Sequence, residues 1–154
     1  MANIAPLVNT RGPLYVHPEG IVKRTHFHTL EMYANLLGSH MTPTAVEDAG
    51  VLTHENRCVT VVDAIATTNA PKDFWSVALV NRHPSQTVDC TVKLNDKTVE
   101  GAFEATILAS DSPEAYNDIE HPERVMPEKR KLRFRDGITT LPPHSLSIVR
   151  LPGN

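Results

Sequence analysis

Hydrophobic positions change their spacing near residue 40, and that change divides the chain. Before it, Ile4-Ala5-Pro6-Leu7-Val8 is an apolar run broken only by Pro6. A strand solvated on one face alternates, whereas a strand buried on both faces in a parallel α/β sheet reads as a continuous run. Residues 3–9 therefore predict a doubly buried strand. A turn-rich connection follows, from Thr10-Arg11-Gly12-Pro13 to His17-Pro18-Glu19-Gly20. Phe27, Leu30, Tyr33 or Ala34, and Leu37 then recur at helical spacing. This predicts a helix over 25–37, with Thr25 as N-cap and Gly38 as C-terminal stop.

After residue 40 the period becomes two. Val88, Cys90, Val92 and Leu94 alternate with Thr87, Asp89, Thr91 and Lys93, which puts one set on a core face and the other in water. Residues 59–67 and 74–81 predict two more strands, joined as a hairpin by a loop carrying Asn69, Pro71 and Asp73. Residues 103–108, 131–135 and 146–151 add others, with Asp136-Gly137 as a turn signal. Residues 111–129 hold three prolines and no clear period, and read as a long loop. The predicted fold is mainly β: an antiparallel β-sandwich, jelly-roll-like, over 39–154, preceded by one strand and one helix over 1–38. A lone strand and helix of the parallel kind cannot bury their own faces and need a larger sheet that this chain does not supply. Residues 1–38 are accordingly expected to be poorly ordered, or to shield their apolar faces by self-association.

A length of 154 residues suits one compact domain with an appendage. Fifteen Lys and Arg against 18 Asp and Glu, with no block of one sign, leave no electrostatic footprint for nucleic acid or an anionic membrane surface. No apolar stretch of about 18 residues is present to span a bilayer, and the start lacks the basic and apolar regions of a signal peptide. The expectation is a cytoplasmic chain with neither nucleic-acid nor membrane partners. Cys58 and Cys90, the only cysteines, fall in strand-like runs and read as small buried thiols, with a disulfide between neighbouring strands as the alternative.

Candidate chemistry is sparse. His26 and His28 lie two apart, so on a helix they point to nearly opposite sides and cannot chelate one ion. His17, His83 and His121 each precede a proline and read as loop residues. Ser145 follows His144, but neighbours in an extended segment point apart, and no Gly-x-Ser-x-Gly elbow is present. The seven glycines do not cluster into a phosphate loop. These patterns predict no metal, no cofactor and no catalytic residue.

A β-sandwich beside an α/β fragment raises carbohydrate chemistry. A retaining glycosidase needs two carboxyl groups about 5 Å apart, which in a barrel project from strand ends. Residues 3–9 carry no acid, and Asp118, Glu120 and Glu123 read as part of a solvated charged loop. With Phe103 and Phe134 at core-facing positions, only Trp75 and Tyr116 remain in the sandwich as aromatic platforms, and Trp75 is expected in the core.

Several stretches taken together resemble one family. These are Asn3-Ile4-Ala5-Pro6-Leu7-Val8-Asn9, Thr25-His26-Phe27-His28 leading into Met32-Tyr33, and Ala78-Leu79-Val80-Asn81-Arg82. Tyr116-Asn117-Asp118-Ile119-Glu120-His121-Pro122 and the closing Leu141-Pro142-Pro143-His144-Ser145-Leu146-Ser147-Ile148-Val149 complete the set. The chain resembles, along its whole length, the C-terminal part of the α-L-arabinofuranosidases of glycoside hydrolase family 51. The resemblance implies a parent enzyme with a (β/α)₈ catalytic barrel followed by a β-sandwich, removing terminal arabinofuranosyl groups from arabinoxylan or arabinan with retention. Residues 1–38 would then be the last strand and helix of that barrel. The two catalytic glutamates would lie on barrel strands four and seven, upstream of Met1, leaving this chain inactive alone. Its implied partner is the barrel, in cis or in trans, with a homo-oligomer as a further possibility. Pro6 stands where the family has a sugar-contacting Gln. The alternative is a stand-alone β-sandwich binding a glycan or a protein surface.

Overall fold

The computed structural model describes residues 5–47 and 49–153. In chain order its elements are β1 (Leu14–His17), β2 (Gly20–Lys23), α1 (Thr25–Leu36), β3 (His40–Thr42), β4 (Val51–His54), β5 (Arg57–Thr60), β6 (Val62–Thr68) and β7 (Phe74–Asn81). They continue as β8 (Val88–Thr91), β9 (Lys93–Leu94), β10 (Lys97–Thr98), β11 (Gly101–Leu108), β12 (Glu128–Phe134), β13 (Ile138–Leu141) and β14 (Ser145–Pro152).

The central layer is a six-stranded antiparallel sheet in the order β12-β11-β14-β7-β6-β3. Its strands split their side chains by parity, as the pleat requires. One face presents Ala66, Val77, Leu79, Ala105, Ile107, Leu132, Phe134, Val149 and Leu151 to Val92, Val99 and Leu141 of the opposing layer, where β8 pairs with β13. Phe103 and Phe134 meet there at 6.0 Å between ring centres, and Trp75 packs against the same cluster. The other face presents Ala78, Leu108, Leu146 and Ile148 to Met32 of α1, with Tyr33, Leu36 and Leu37 packed alongside. Helix α1 therefore covers the outside of the sandwich, which explains why the middles of β7 and β14 are buried on both faces. On the edge strand β12, exposed Lys129, Arg130, Lys131 and Arg133 discourage pairing with another chain.

Several expectations change. The helix finds a sheet after all, because the sandwich itself buries the Met32 side of α1. Its N-cap is Arg24, with no side-chain capping bond, and not Thr25. Gly38 follows the C-cap residue Leu37 and serves close packing instead: a Cβ there would overlap the Thr68 backbone. The Gly38 N–H donates to Thr67 Oγ1 at 2.8 Å. Asn3 and Ile4 lie outside the described residues; in the remainder of the predicted first strand, Val8 forms a single parallel bridge, to Leu14. A strand needs a neighbour along its length, and among the described residues Leu14 is all that Val8 pairs with. The connection after it folds as the β1–β2 hairpin, paired from Leu14↔Lys23 to His17↔Gly20.

The 59–67 strand breaks at Val61, and its first part pairs with β4 instead, around a turn in which Glu55 and Asn56 both have positive φ. The 88–94 strand also breaks. Val92 donates to Gly137 O at 2.9 Å and accepts from the Val99 N–H at 3.0 Å, so the chain changes partner from β13 to β10 at that residue. Positive φ at both Asn95 and Asp96, and at Asp136 and Gly137, suits the tight turns that follow. Both cysteines are free, and Cys58 is exposed instead of buried because the β4–β5 hairpin stands out from the core.

Candidate functional site

Two surfaces stand out. The first is apolar and lies in the opening segment, where Leu7, Val8, Val16, Ile21 and Leu30 are all exposed; Leu7 and Ile21 each retain more than 60 % of their surface, at 62 % and 64 %. Val16 and Ile21 are direct cross-strand partners, and exposed apolar surface of this kind marks an interaction site. Pro6 is exposed beside it. The segment is held by its own bonds: Asn9 Oδ1 accepts the Val16 N–H at 2.7 Å, and Arg24 Nη1 donates to Thr10 O at 2.8 Å and Gly12 O at 3.2 Å.

The second surface is a cleft of about 550 Å³ lined by Tyr15, Arg24 and residues 116–120. One wall is the β1–β2 hairpin, where the Arg24 guanidinium sits 5.0 Å from the centre of the Tyr15 ring. The other wall is the 111–127 loop, and Asn117 fixes it. Asn117 is buried; its Nδ2 donates to Lys23 O at 2.9 Å and Val125 O at 3.0 Å, and its Oδ1 accepts the Val125 N–H at 2.7 Å. The loop is therefore tied to itself and to the end of β2. Asp118 Oδ1 accepts the His121 N–H at 2.6 Å. The sequence reading of Asp118 and Glu120 as members of a charged loop holds, but tertiary folding brings both to a cleft with Tyr15, which the pattern along the chain did not foretell. Glu123 is exposed and lies outside that lining.

A smaller cleft of about 370 Å³ lies between α1 and the sheet, with Thr25, Thr29, Tyr33, His144 and Ser145 in its lining. His144 faces two carbonyl oxygens, Pro84 O at 2.8 Å and Ser110 O at 3.0 Å, while Ser145 Oγ donates to Pro142 O at 2.7 Å. Both side chains are thus spent on holding loops and do not meet as nucleophile and base. His28 is buried on α1 with Nδ1 3.4 Å from Glu31 Oε2. Among the described residues no group of three His, Cys, Asp or Glu is placed to hold a metal ion, and no helix is long and apolar enough to cross a membrane.

Asn81 at the end of β7 is a second buried clamp. Its Nδ2 donates to Gln86 O at 2.9 Å and Pro142 O at 2.8 Å, and its Oδ1 accepts the His83 N–H at 2.9 Å. Two of the stretches that carry the family resemblance thus owe their asparagines to loop anchoring.

Comparison with known proteins agrees with this arrangement. The profile described as "Alpha-L-arabinofuranosidase C-terminal domain" matches residues 1–145. This chain belongs to that family. Solved structures similar to this arabinofuranosidase C-terminal domain include the family 51 α-L-arabinofuranosidase of Bifidobacterium longum, at 23 % identity and a TM-score of 0.81 over 97 % of this chain and 29 % of that one. The enzyme of Thermotoga petrophila follows at 19 % and 0.80, over 96 % of this chain and 33 % of that one. The α-L-arabinofuranosidase of Thermotoga maritima, solved with arabinose, gives 20 % and 0.78 with the same coverage. The chain thus spans about a third of the length of these structures. Among curated protein sequences none matches it.

Proposed function

We propose that this domain is the non-catalytic C-terminal part of an α-L-arabinofuranosidase, and that its opening segment packs against a catalytic barrel. The observation that carries this reading is the exposed apolar set Leu7, Val8, Val16, Ile21 and Leu30, joined to a segment whose one bridge among the described residues, at Val8, is parallel. A parallel bridge and a two-sided apolar run suit a strand completed by neighbours from a larger sheet. The family match and the one-third coverage of the similar structures supply the candidate for that sheet.

On this reading residues 5–9 end the barrel and α1 is its last helix, shared with the sandwich through Met32. The parent acts on arabinofuranosyl groups of arabinan or arabinoxylan with retention. Two carboxyl groups about 5–5.5 Å apart, one nucleophile and one acid/base, perform that chemistry in such enzymes, and both belong to the barrel. Pro6, in the place of a sugar-contacting Gln, has no side-chain hydrogen-bonding group to offer the sugar.

Two measurements test this. The purified chain is expected to leave an aryl arabinofuranoside at background, and turnover surviving repurification would overturn its non-catalytic role. The coding sequence upstream of Met1 is expected to carry, in frame or adjacent, a barrel with two strand-end glutamates; its absence would overturn the assignment to a parent enzyme.

A further inference from the structure

The cleft between the β1–β2 hairpin and the 116–120 loop is lined by Tyr15, Arg24 and residues 116–120, and by none of the five exposed apolar residues assigned above to docking. We infer that it is a binding subsite for a neutral, arabinofuranosyl-bearing polysaccharide chain. The sugar class rests on the proposed parent enzyme; the existence of a ligand site rests on the cleft itself.

Its volume of about 550 Å³ falls within the range of roughly 300–1,000 Å³ common to small-molecule sites. Its lining combines two tyrosines with two carboxylates, a set suited to sugars: ring faces pack against apolar C–H edges, and carboxylates accept hydroxyl protons. Tyr116 is 61 % exposed, and among the described residues neither its hydroxyl nor the Glu120 carboxylate has a hydrogen-bond or ion-pair partner. Arg24 is engaged in part. Its Nη1 serves Thr10 O and Gly12 O, and its guanidinium lies by Tyr15. With Asp118 and Glu120 opposite one engaged arginine, the local charge disfavours an anionic ligand.

The walls are also preorganised. Asn117 locks the loop that carries Tyr116, Asp118 and Glu120, and Asn9 locks the turn beneath Tyr15 and Val16. Fixed walls lower the ordering cost of binding. Position supports the same use, because the hairpin is the connection between residues 5–9 and α1. In barrel enzymes the loops following the strands form the substrate face, so on the parent reading this cleft opens beside the reaction, on the side of the polymer chain.

The test is electrophoresis of the whole chain through native gels containing arabinan, arabinoxylan, polygalacturonate or no polymer. Retardation by arabinan or arabinoxylan is expected, weakened about tenfold in apparent Kd by Tyr116→Ala and by Glu120→Gln, each corresponding to about 1.4 kcal/mol. Both residues are exposed, and unchanged melting temperatures would establish that the variants remain folded. No retardation by either neutral polymer overturns the inference, as does equal retardation of the variants or retardation by polygalacturonate alone. The upstream barrel is read separately: a barrel without binding sinks the subsite alone, and binding without a barrel sinks the parent reading alone.

Discussion

Asn117 shows how much of this fold depends on single polar side chains. Its amide is buried between the end of β2 and the closing turn of the 111–127 loop, where it satisfies two carbonyls and one N–H. Removing one partner of a buried pair leaves the other desolvated and unpaired, at about 1–3 kcal/mol for each such group. Asn117→Ala is therefore expected to destabilise the domain by about 2–4 kcal/mol, read as a lower urea midpoint. Amide exchange should speed up at Val125 and through the loop, and a midpoint within error of the parent chain would contradict the clamp. Asn81 does the same work at the end of β7. Neither role is visible in the sequence beyond the resemblance of the surrounding stretches, because Lys23, whose carbonyl Asn117 binds, lies 94 positions away from it.

At the scale of elements, α1 is the hinge between the two parts of the chain. It is 12 residues long, with no acidic residue in its first turn and no basic residue in its last, so capping and dipole effects contribute little. Its stability comes from the Met32 side packing on Ala78, Leu108, Leu146 and Ile148. That packing brings the helix end so close to β6 that Gly38 abuts the Thr68 backbone. Gly38→Ala should cost about 1–3 kcal/mol, because a backbone neighbour cannot swing aside as a flexible side chain can. Thermal denaturation of the variant checks this; an unchanged melting temperature would show that helix and strand have room to separate. The helix itself was legible from its 3.6-residue period to within one residue at its C-terminal end. The β1–β2 and β4–β5 hairpins were not, since strands of four residues carry too few positions for alternation to register, and the Glu55-Asn56 turn lacks the glycine that marks Asp136-Gly137.

For the whole molecule, the shared burial of helix and sheet makes a prediction about pH. Burial, then the Asp63 carboxylate, raise the Tyr33 hydroxyl above its ordinary value of 10.0, with Arg82 opposing. Burial likewise pushes the Cys90 thiol above 9.0. In both groups folding favours the neutral, protonated form, so this contribution is fully present below the ordinary values and is lost as pH rises through and beyond them. Urea midpoints between about pH 8 and about pH 11 should therefore fall, and Tyr33→Phe should flatten the upper part of that fall. An alkaline decline identical in Tyr33→Phe would exclude Tyr33 as a contributor. The partner of Asp63, Arg82, also bonds Thr60 O and Oγ1, so this corner links β5, β6 and β7.

The sequence by itself determined the predominance of antiparallel strands, the place of the single helix, the Asp136-Gly137 turn and the family, because periodicity and local strings are properties of neighbours along the chain. Only the tertiary structure decided that α1 lies on the outer face of the sandwich, that the 88–94 strand changes partner at Val92, and that Tyr15 and Arg24 share a cleft with Asp118 and Glu120. These depend on which faces find apolar partners once the sheet closes, and on buried amides that join residues far apart in sequence.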